Sequence, residues 1–324
     1  WMMTLGAIQD NHLIYEFGTE VARQFKELGL HVNFAPVLDI NNNPQNPIID
    51  RRSFSSDRQL VTDKGMAYMY GLQDNNILAC AKHFPGHGDT DTDSHKTLPV
   101  LNHNLARLHK IELLPFRRLI NNGLGSVMAA HLHVPSLDDR QNIPTSLSEK
   151  VITNLLKDEL GFTGLVITDA LNMKGVTKFY EPGLLDLKAL LAGNDVLLFS
   201  TDVPKAIQEI ERAILDGEIT QEEIDIRCKK ILMAKKWMGL DNYKAIDIKK
   251  VSNEIINQEN ILLDKNLVSN SLTLLQNYDD LIPLKRLDTL RIASLSIGQD
   301  NKGVNVFQNK LSHYAPVKHY SIGD

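Results

Sequence analysis

LVITD, residues 165–169, is a short apolar run that ends in a carboxylate, and its layout recurs along the chain. A run of this kind is typical of a strand that is buried on both faces of a sheet. Four further runs share the layout: HVNFAPVLD (31–39), ILACAK (77–82), SVMAA (126–130) and DVLLFS (195–200). Stretches with helical periodicity separate them, so strands and helices alternate. This alternation predicts a parallel sheet that is covered by helices.

The helical stretches have apolar residues at steps of three and four, as Leu13, Phe17, Val21, Phe25 and Leu28 illustrate. Such spacing places the apolar side chains on one face of a helix. Helices are predicted near 11–28, 60–75, 105–122, 148–160 and 184–192, with two more between about 203 and 240.

Two architectures share this alternation, a doubly wound sheet and a (β/α)8 barrel. Polar residues follow nearly every predicted strand: Asp39, Lys82, His83, His131, His133 and Asp169. All strand carboxyl ends meet at one mouth in a barrel, whereas a doubly wound sheet concentrates its chemistry at one switch point. The sequence therefore favours an α/β fold of the (β/α)8 TIM-barrel type. Only five strands precede residue 240, so we expect the first βα units to lie upstream of Trp1.

The chain divides by composition into three parts. Residues 1–240 form the predicted catalytic barrel, and residues 241–268, rich in Lys, Asn and Glu, form a predicted helical connector. Residues 269–324 are predicted to begin a second α/β domain that is incomplete in this chain. Its predicted strands are SLTLLQN (271–277) and TLRIASLSIG (289–298).

Composition narrows the class of partner. The 324 residues are 43% hydrophobic and carry a formal net charge of -5, so the chain lacks the basic field that binds nucleic acid or an anionic membrane. No apolar run approaches the roughly 18 residues of a membrane span. Cys80 and Cys228 each lie in an apolar-periodic segment, which predicts two buried free thiols and leaves the cellular compartment open. A small-molecule substrate is the expected partner.

Chemistry-bearing residues are densest in KHFPGHGDTDTDSHKTLP, residues 82–99. Its glycines and prolines predict a long shaped loop after a strand. Three interpretations are open: a solvated polar loop, a metal site built from His and Asp, and an acid/base loop. The metal interpretation is weakened because the spacing matches no closed-site pattern. In the third interpretation Asp93 holds one nitrogen of His95 and raises the basicity of the other, as a general acid/base requires.

Asp169 closes its strand and is followed by the small residue Ala170. Its carboxylate is expected at the barrel mouth, although a helix N-cap is an alternative role for it. Lys82 and Arg52, with Arg51 as a competing candidate, offer positive charge that would keep such a carboxylate ionised.

These segments resemble the family 3 glycoside hydrolases, and specifically their β-N-acetylglucosaminidase branch. The resemblance runs from about Phe34 to Gly239 through FAPVLDI, RRSF, KHFPGHGDTDTDSH, MAAH and ITDALNMKGV. KHFPGHG followed by DSH is a specific signal, because several independent residues match in register.

The resemblance implies that Asp169 is the nucleophile and that His95, paired with Asp93, is the acid/base. It also implies that Arg52, Lys82 and His83 hold hydroxyls of the sugar in the −1 subsite. His131 is a further candidate for the mouth. The implied reaction is retaining hydrolysis of terminal β-linked N-acetylglucosamine from a small carbohydrate, such as a peptidoglycan fragment. It needs no cofactor and no metal.

Other functions remain open at this stage. A histidine acid/base does not repel an incoming anion, so phosphorolysis of the same glycosides is a close alternative, as is another family 3 activity such as β-glucosidase. A metal-dependent hydrolase and a non-catalytic sugar-binding module are alternatives from different classes. Asp39 is assigned to loop hydrogen bonding, and Leu171 and Met173 to packing.

Overall fold

A four-stranded parallel sheet occupies the centre of the larger of two units in the chain, Trp1–Leu272 and Thr273–Asp324. The structure is a computed structural model that describes residues 1–92, 97–298 and 303–323. The strands lie in the order β1 (Val32–Asn33), β2 (Leu78–Phe84), β3 (Ser126–Ala129) and β4 (Leu165–Thr168). Strands β3 and β4 are buried throughout, as is β2 apart from Lys82. The predicted parallel sheet with helices is confirmed, and the described residues do not close it into a barrel.

Helices follow the strands as the periodicity predicts. Those of the first unit are α1 (Met2–Gly6), α2 (Asn11–Glu27), α3 (Arg58–Gln73), α4 (Leu105–Lys110), α5 (Leu113–Ile120), a π-helix (Lys150–Glu159), α6 (Lys174–Thr177), α7 (Leu184–Ala192), α8 (Val203–Leu215), α9 (Gln221–Trp237), α10 (Ile248–Ile255) and α11 (Gln258–Ser271). Among the described residues, no helix has both the length and the apolar character that crossing a membrane requires.

Helices α2 and α3 approach each other closely at two glycines. A Cβ on Gly71 would lie 2.3 Å from the carbonyl oxygen of Tyr15, and a Cβ on Gly18 would lie 2.7 Å from that of Tyr68. The backbones are therefore in direct contact, which no larger residue permits without moving a helix. This crossing holds α2 against the helix that covers the sheet.

The β2 ladder is irregular where it approaches the mouth. Its register with β3 shifts between Ala81 and Phe84. An irregularity of this kind bends a strand and redirects its side chains, and such features are common beside active sites. Lys82 and His83 lie at this position.

The predicted strand at 195–200 is wrong, because the pairing of this run with β4 stops after its first residues. Val196 bridges to Ile167, and the amides of Asp195 and Val196 donate to the carbonyl of Val166. The amide of Leu198 donates to the side-chain oxygen of Thr168 at 2.9 Å and so leaves the ladder. Phe199 then adopts a φ of 53°, a left-handed conformation that ends extended backbone.

The second unit contains β5 (Ile292–Ile297), β6 (Val317–Ile322) and α12 (Val306–Leu311), and its two strands are parallel. The predicted strand at 289–298 appears as β5, whereas the one at 271–277 is wrong. Helix α11 continues to Ser271, and Leu272, Leu274 and Leu275 after it are 78%, 59% and 88% exposed. No described strand pairs with this stretch.

The two cysteines differ in environment. Cys80 is buried in β2, where burial raises the pKa of its thiol to about 12. Cys228 is exposed on α9, so the expectation that both thiols are buried is wrong for Cys228. Helix α9 has no fully buried residue, and several of its apolar residues, Ile226 and Leu232 among them, are exposed.

The close α2–α3 crossing predicts whether a substitution at Gly71 raises or lowers stability. Gly71→Ala should lower the free energy of unfolding by about 1–3 kcal/mol, because the added methyl group meets backbone that cannot give way. Helix propensity alone would act in the opposite direction by about 1 kcal/mol. Urea denaturation followed by far-UV circular dichroism measures the change. Ala67→Gly on the same helix is the control for propensity, and a stabilised Gly71→Ala protein would contradict the crossing.

Candidate active site

A cavity of about 210 Å³ lies at the carboxyl ends of the parallel strands. Its lining residues come from the ends of β2, β3 and β4 and from the loops beside them: Phe34, Ile48, Arg52, Lys82, His83, His87, Met128, Asp169, Ala170, Leu198 and Phe199. Four of the residues nominated from the sequence therefore share one cavity, namely Arg52, Lys82, His83 and Asp169.

Asp169 is held immediately after β4 by its own backbone. Its amide donates to the carbonyl of Ala129 on the neighbouring strand at 2.8 Å, and its Oδ1 accepts from the amide of Ala170 at 2.8 Å. Burial alone would raise the pKa of the carboxyl group. The electrostatic interactions with the rings of His83 and His131, the Ala170 amide and Lys82 outweigh burial and lower the pKa below its ordinary value. The carboxylate is thus ionised and faces the cavity.

Asp39 is fully buried and accepts hydrogen bonds from two neighbouring turns. Its Oδ1 accepts from the amide of His87 at 2.7 Å, and both of its oxygens lie 3.2 Å from the amide of His83. Its Oδ2 lies 2.7 Å from Nδ1 of His83. Burial raises the pKa of Asp39, but the imidazole of His83 and the donated hydrogen bonds lower it overall. Asp39 therefore makes the expected loop hydrogen bonds, and its partners belong to the KHFPGHG segment.

The contact with Asp39 fixes the tautomer of His83. A carboxylate only accepts, so Nδ1 of His83 carries the proton and donates it. The other nitrogen, Nε2, lies 3.4 Å from Nη2 of Arg52, a donor, on the cavity side. Arg52 in turn donates from Nη1 to the carbonyl of Ile48 at 3.1 Å. Asp39, His83 and Arg52 form one continuous chain of hydrogen bonds.

The two adjacent arginines take different positions. Arg52 lines the cavity, whereas Arg51 is exposed, pairs with Asp50 at 3.3 Å and lies over the ring of Trp1. Lys82 is half-buried in the cavity wall, and burial together with the nearby charge of Arg52 lowers the pKa of its ammonium group. The cations that face Asp169 therefore include Arg52 and Lys82.

His131 lies behind the turn at Asp169 and Ala170 and does not belong to the cavity lining. It is fully buried, and its Nε2 lies 3.1 Å from the carbonyl of Ala170, to which only a protonated nitrogen can donate. Its Nδ1 lies 2.6 Å from the hydroxyl of Ser146. Burial lowers the pKa of this ring. Both ring nitrogens are thus used by the protein, and the side chain supports the turn.

His133 contributes backbone pairing with Pro99 and Leu101.

Asp93 and His95, the residues nominated as acid/base pair, lie outside the described residues. The loop on either side of them is anchored. Asp89 binds Nε2 of His103 at 2.8 Å and Nη2 of Arg107 at 3.0 Å, and Val100 bridges to His133.

One group of potential metal ligands exists within the described residues, formed by Asp89, His103 and Glu112. The guanidinium of Arg107 lies against it, 3.0 Å from Asp89 and 3.3 Å from Glu112. A fixed cation already balances the carboxylates, so the arrangement fits an ion-pair network that anchors the loop.

Sequence reasoning did not assign a role to His87, Phe34 or Phe199, which also line the cavity. His87 had a usable signal, because it belongs to the same KHFPGHG segment as Lys82 and His83. Phe199 is 64% exposed and Phe34 is 37% exposed, so aromatic rings form part of the rim. An apolar residue at the end of a strand carries no sequence signal for such a role.

Comparison with known proteins agrees with this geometry. Residues 1–234 match the family model described as Glycosyl hydrolase family 3 N terminal domain. Beta-hexosaminidase A of Pseudoalteromonas piscicida is 32% identical over 72% of this chain and 43% of its own length. Beta-hexosaminidase of Nitrosomonas eutropha is 36% identical over 63% of this chain and 60% of its own length. The chain thus spans roughly half the length of these relatives.

A solved structure is similar over nearly the whole chain. The family 3 β-N-acetylglucosaminidase from Paenibacillus sp. str. FPU-7 superposes with a TM-score of 0.84 at 33% identity. The match covers 99% of this chain and 62% of that one. Together with the family match over residues 1–234, it shows that the chain belongs to glycosyl hydrolase family 3.

Proposed function

We propose that this chain carries the catalytic centre of a retaining β-N-acetylglucosaminidase. The observation that carries the proposal is the ionised, cavity-facing carboxylate of Asp169, placed among Arg52, Lys82 and His83. The similarity to proteins named β-hexosaminidase and β-N-acetylglucosaminidase supports the same assignment. The cavity of about 210 Å³ is smaller than the ~300–1,000 Å³ of typical drug-sized sites and suits a single sugar unit.

Asp169 acts as the nucleophile in the proposed reaction. Its carboxylate attacks the anomeric carbon while His95 donates a proton to the leaving glycosidic oxygen, which breaks the glycosidic bond and forms a glycosyl ester on Asp169. His95, now neutral, removes a proton from water, and the resulting nucleophile hydrolyses the ester. The products are the free sugar and the aglycone, and Asp169 and His95 return to their starting states. Asp93 orients His95 and stabilises its charged form.

The cationic wall has two roles in this proposal. Arg52, Lys82 and His83 bind hydroxyls of the sugar in the −1 subsite, and the positive charges of Arg52 and Lys82 keep Asp169 ionised at neutral pH. His131 positions Asp169 through its bond to the carbonyl of Ala170. We assign the substrate class as terminal β-linked N-acetylglucosamine in small glycans, with peptidoglycan fragments as the natural source.

Replacement of the nucleophile tests the mechanism directly. Asp169→Asn in the full-length protein should lower kcat on an aryl N-acetyl-β-glucosaminide by at least about 10³-fold, because the covalent route is lost. Mass spectrometry after reaction with a slow 2-fluoro glycosyl substrate should locate a glycosyl adduct on the peptide that contains Asp169. Asp241→Asn, at an exposed position on the surface, is the control. Full activity of the Asp169→Asn protein, or an adduct elsewhere, would remove the mechanism.

The electrostatics of Asp169 predict a pH dependence. A lowered pKa means that the nucleophile stays ionised until the pH falls below the usual value for an aspartate, about 3.9. Lys82→Met removes one of the charges that lower this pKa, so the acidic limb of kcat/KM should move to higher pH. Initial rates between about pH 3 and 7 measure the limb, with Lys236→Met as a surface control. An unmoved limb would show that Lys82 does not influence the ionisation of Asp169.

Asp39 should affect the proposed reaction through its contact with His83. Asp39→Asn removes the charge that holds the Nδ1 proton, so we expect kcat/KM to fall about 10- to 100-fold, as for other residues that orient a ligand-binding histidine. Aryl-glycoside kinetics measure the loss, and thermal unfolding separates it from a folding defect. Wild-type kinetics in a folded Asp39→Asn protein would disprove the positioning role.

A further inference from the structure

One buried nitrogen in the cavity wall has no hydrogen-bond partner among the described residues. It is Nε2 of His87, a side chain that is 2% exposed and that lines the same cavity as Asp169. Buried polar atoms are almost always paired, and an unpaired one calls for a specific explanation. Neither the proposed mechanism nor the family comparison gives His87 a role.

The other nitrogen of His87 determines what Nε2 can do. The hydroxyl of Thr90 lies 3.1 Å from the carbonyl of His87 and 2.7 Å from its Nδ1. Both contacts are hydrogen bonds when the hydroxyl donates to the carbonyl and accepts from Nδ1. The amide nitrogen of Asn46 also donates to the carbonyl of His87, at 2.8 Å. In this arrangement Nδ1 carries the proton, and Nε2 presents a lone pair.

The ring is neutral and fixed in place. Burial lowers the pKa of His87 to about 4, so the imidazole is uncharged near neutral pH. The backbone amide of His87 donates to Asp39. The ring of His87 packs edge-on against the ring of His83, with a centroid distance of 6.0 Å. In the arrangement that satisfies both contacts of Thr90, Nε2 is an acceptor in a fixed position.

The surrounding wall explains why such an acceptor is useful. Arg52 and Lys82 are donors only, and they serve the lone pairs of sugar oxygens. Asp169 is reserved for the anomeric carbon in the proposed reaction. His87 is then a neutral acceptor for a sugar hydrogen in a cavity that is otherwise rich in donors.

We propose that Nε2 of His87 accepts a hydrogen bond from an O–H or N–H group of the bound sugar and thereby determines specificity. The proposal rests on the proposed function, because it places the sugar in the Asp169 cavity. A substrate that lacks a hydrogen at this point leaves the buried acceptor unpaired and is discriminated against.

A series of aryl β-glycosides tests the proposal with the full-length protein. The parent is the N-acetylglucosaminide, and each analogue lacks one donor: the 3-, 4- or 6-hydroxyl, or the acetamido group at C2. His87→Phe keeps a ring of similar shape without either nitrogen. It should lower kcat/KM by about 10-fold or more on the parent and by less than about 3-fold on the one analogue that lacks the interacting donor. Thr90→Val, which frees the tautomer but keeps Nε2, should show a smaller loss with the same pattern.

A binding measurement complements the kinetics if His87→Phe does not fold. The 15N resonance of Nε2 of His87, observed in Asp169→Asn protein, should shift when N-acetylglucosamine is added. Calorimetry on the same sample establishes that the sugar binds. Binding without a shift, or an equal loss on every glycoside, would overturn the role of His87 and leave the proposed function intact. Absence of both binding and turnover would instead overturn the proposed function, and with it this inference.

Discussion

The carboxylate of Asp39 is the contact on which the cavity wall depends. It lies beneath the KHFPGHG segment and collects the amides of His83 and His87 together with Nδ1 of His83. A buried carboxylate is costly unless several donors satisfy it, and here the donors come from the loop that shapes the site. The requirement works in both directions, because Asp39 needs these N–H groups, the imidazole of His83 needs Asp39 for its orientation, and the backbone at His87 needs Asp39 as an acceptor.

The strand ends bring further charged residues to the same cavity. Asp39 follows the stretch that pairs with β2, Lys82 and His83 lie at the irregular end of β2, and Asp169 follows β4. Parallel strands bring these positions to the same edge of the sheet, so residues about 130 positions apart in sequence line one cavity. Asp39 is satisfied by N–H groups of His83 and His87, whereas Asp169 shares its cavity with the cations Arg52 and Lys82. Each buried carboxylate is stabilised by the donors or positive charges beside it.

Much of this arrangement could be predicted from sequence, and the exceptions have physical reasons. The alternation of apolar runs and helical stretches gave the parallel sheet, and the polar residues at the strand ends pointed to the cavity. The run at 195–200 has strand composition, but Phe199 and the Thr168 side chain interrupt its pairing. The run at 271–277 is equally apolar, yet no described strand pairs with it. The composition of a run indicates a tendency to form a strand but does not show whether a partner strand lies beside it.

Individual roles were harder to predict than the location of the site. His131 and His83 both follow predicted strands, and only the structure places His131 behind the turn at Asp169 and His83 on the cavity. The unpaired nitrogen of His87 depends on a contact with Thr90, three residues later, that no periodicity reveals.

The contrast between the two thiols has a practical consequence. Cys80, whose pKa is raised to about 12, is closed to reagents in the interior of the sheet, whereas Cys228 is open on α9. A maleimide dye should therefore attach to this chain at one place, without any engineered cysteine. That single fluorophore would report on the protein from a helix that contributes no residue to the cavity at Asp169.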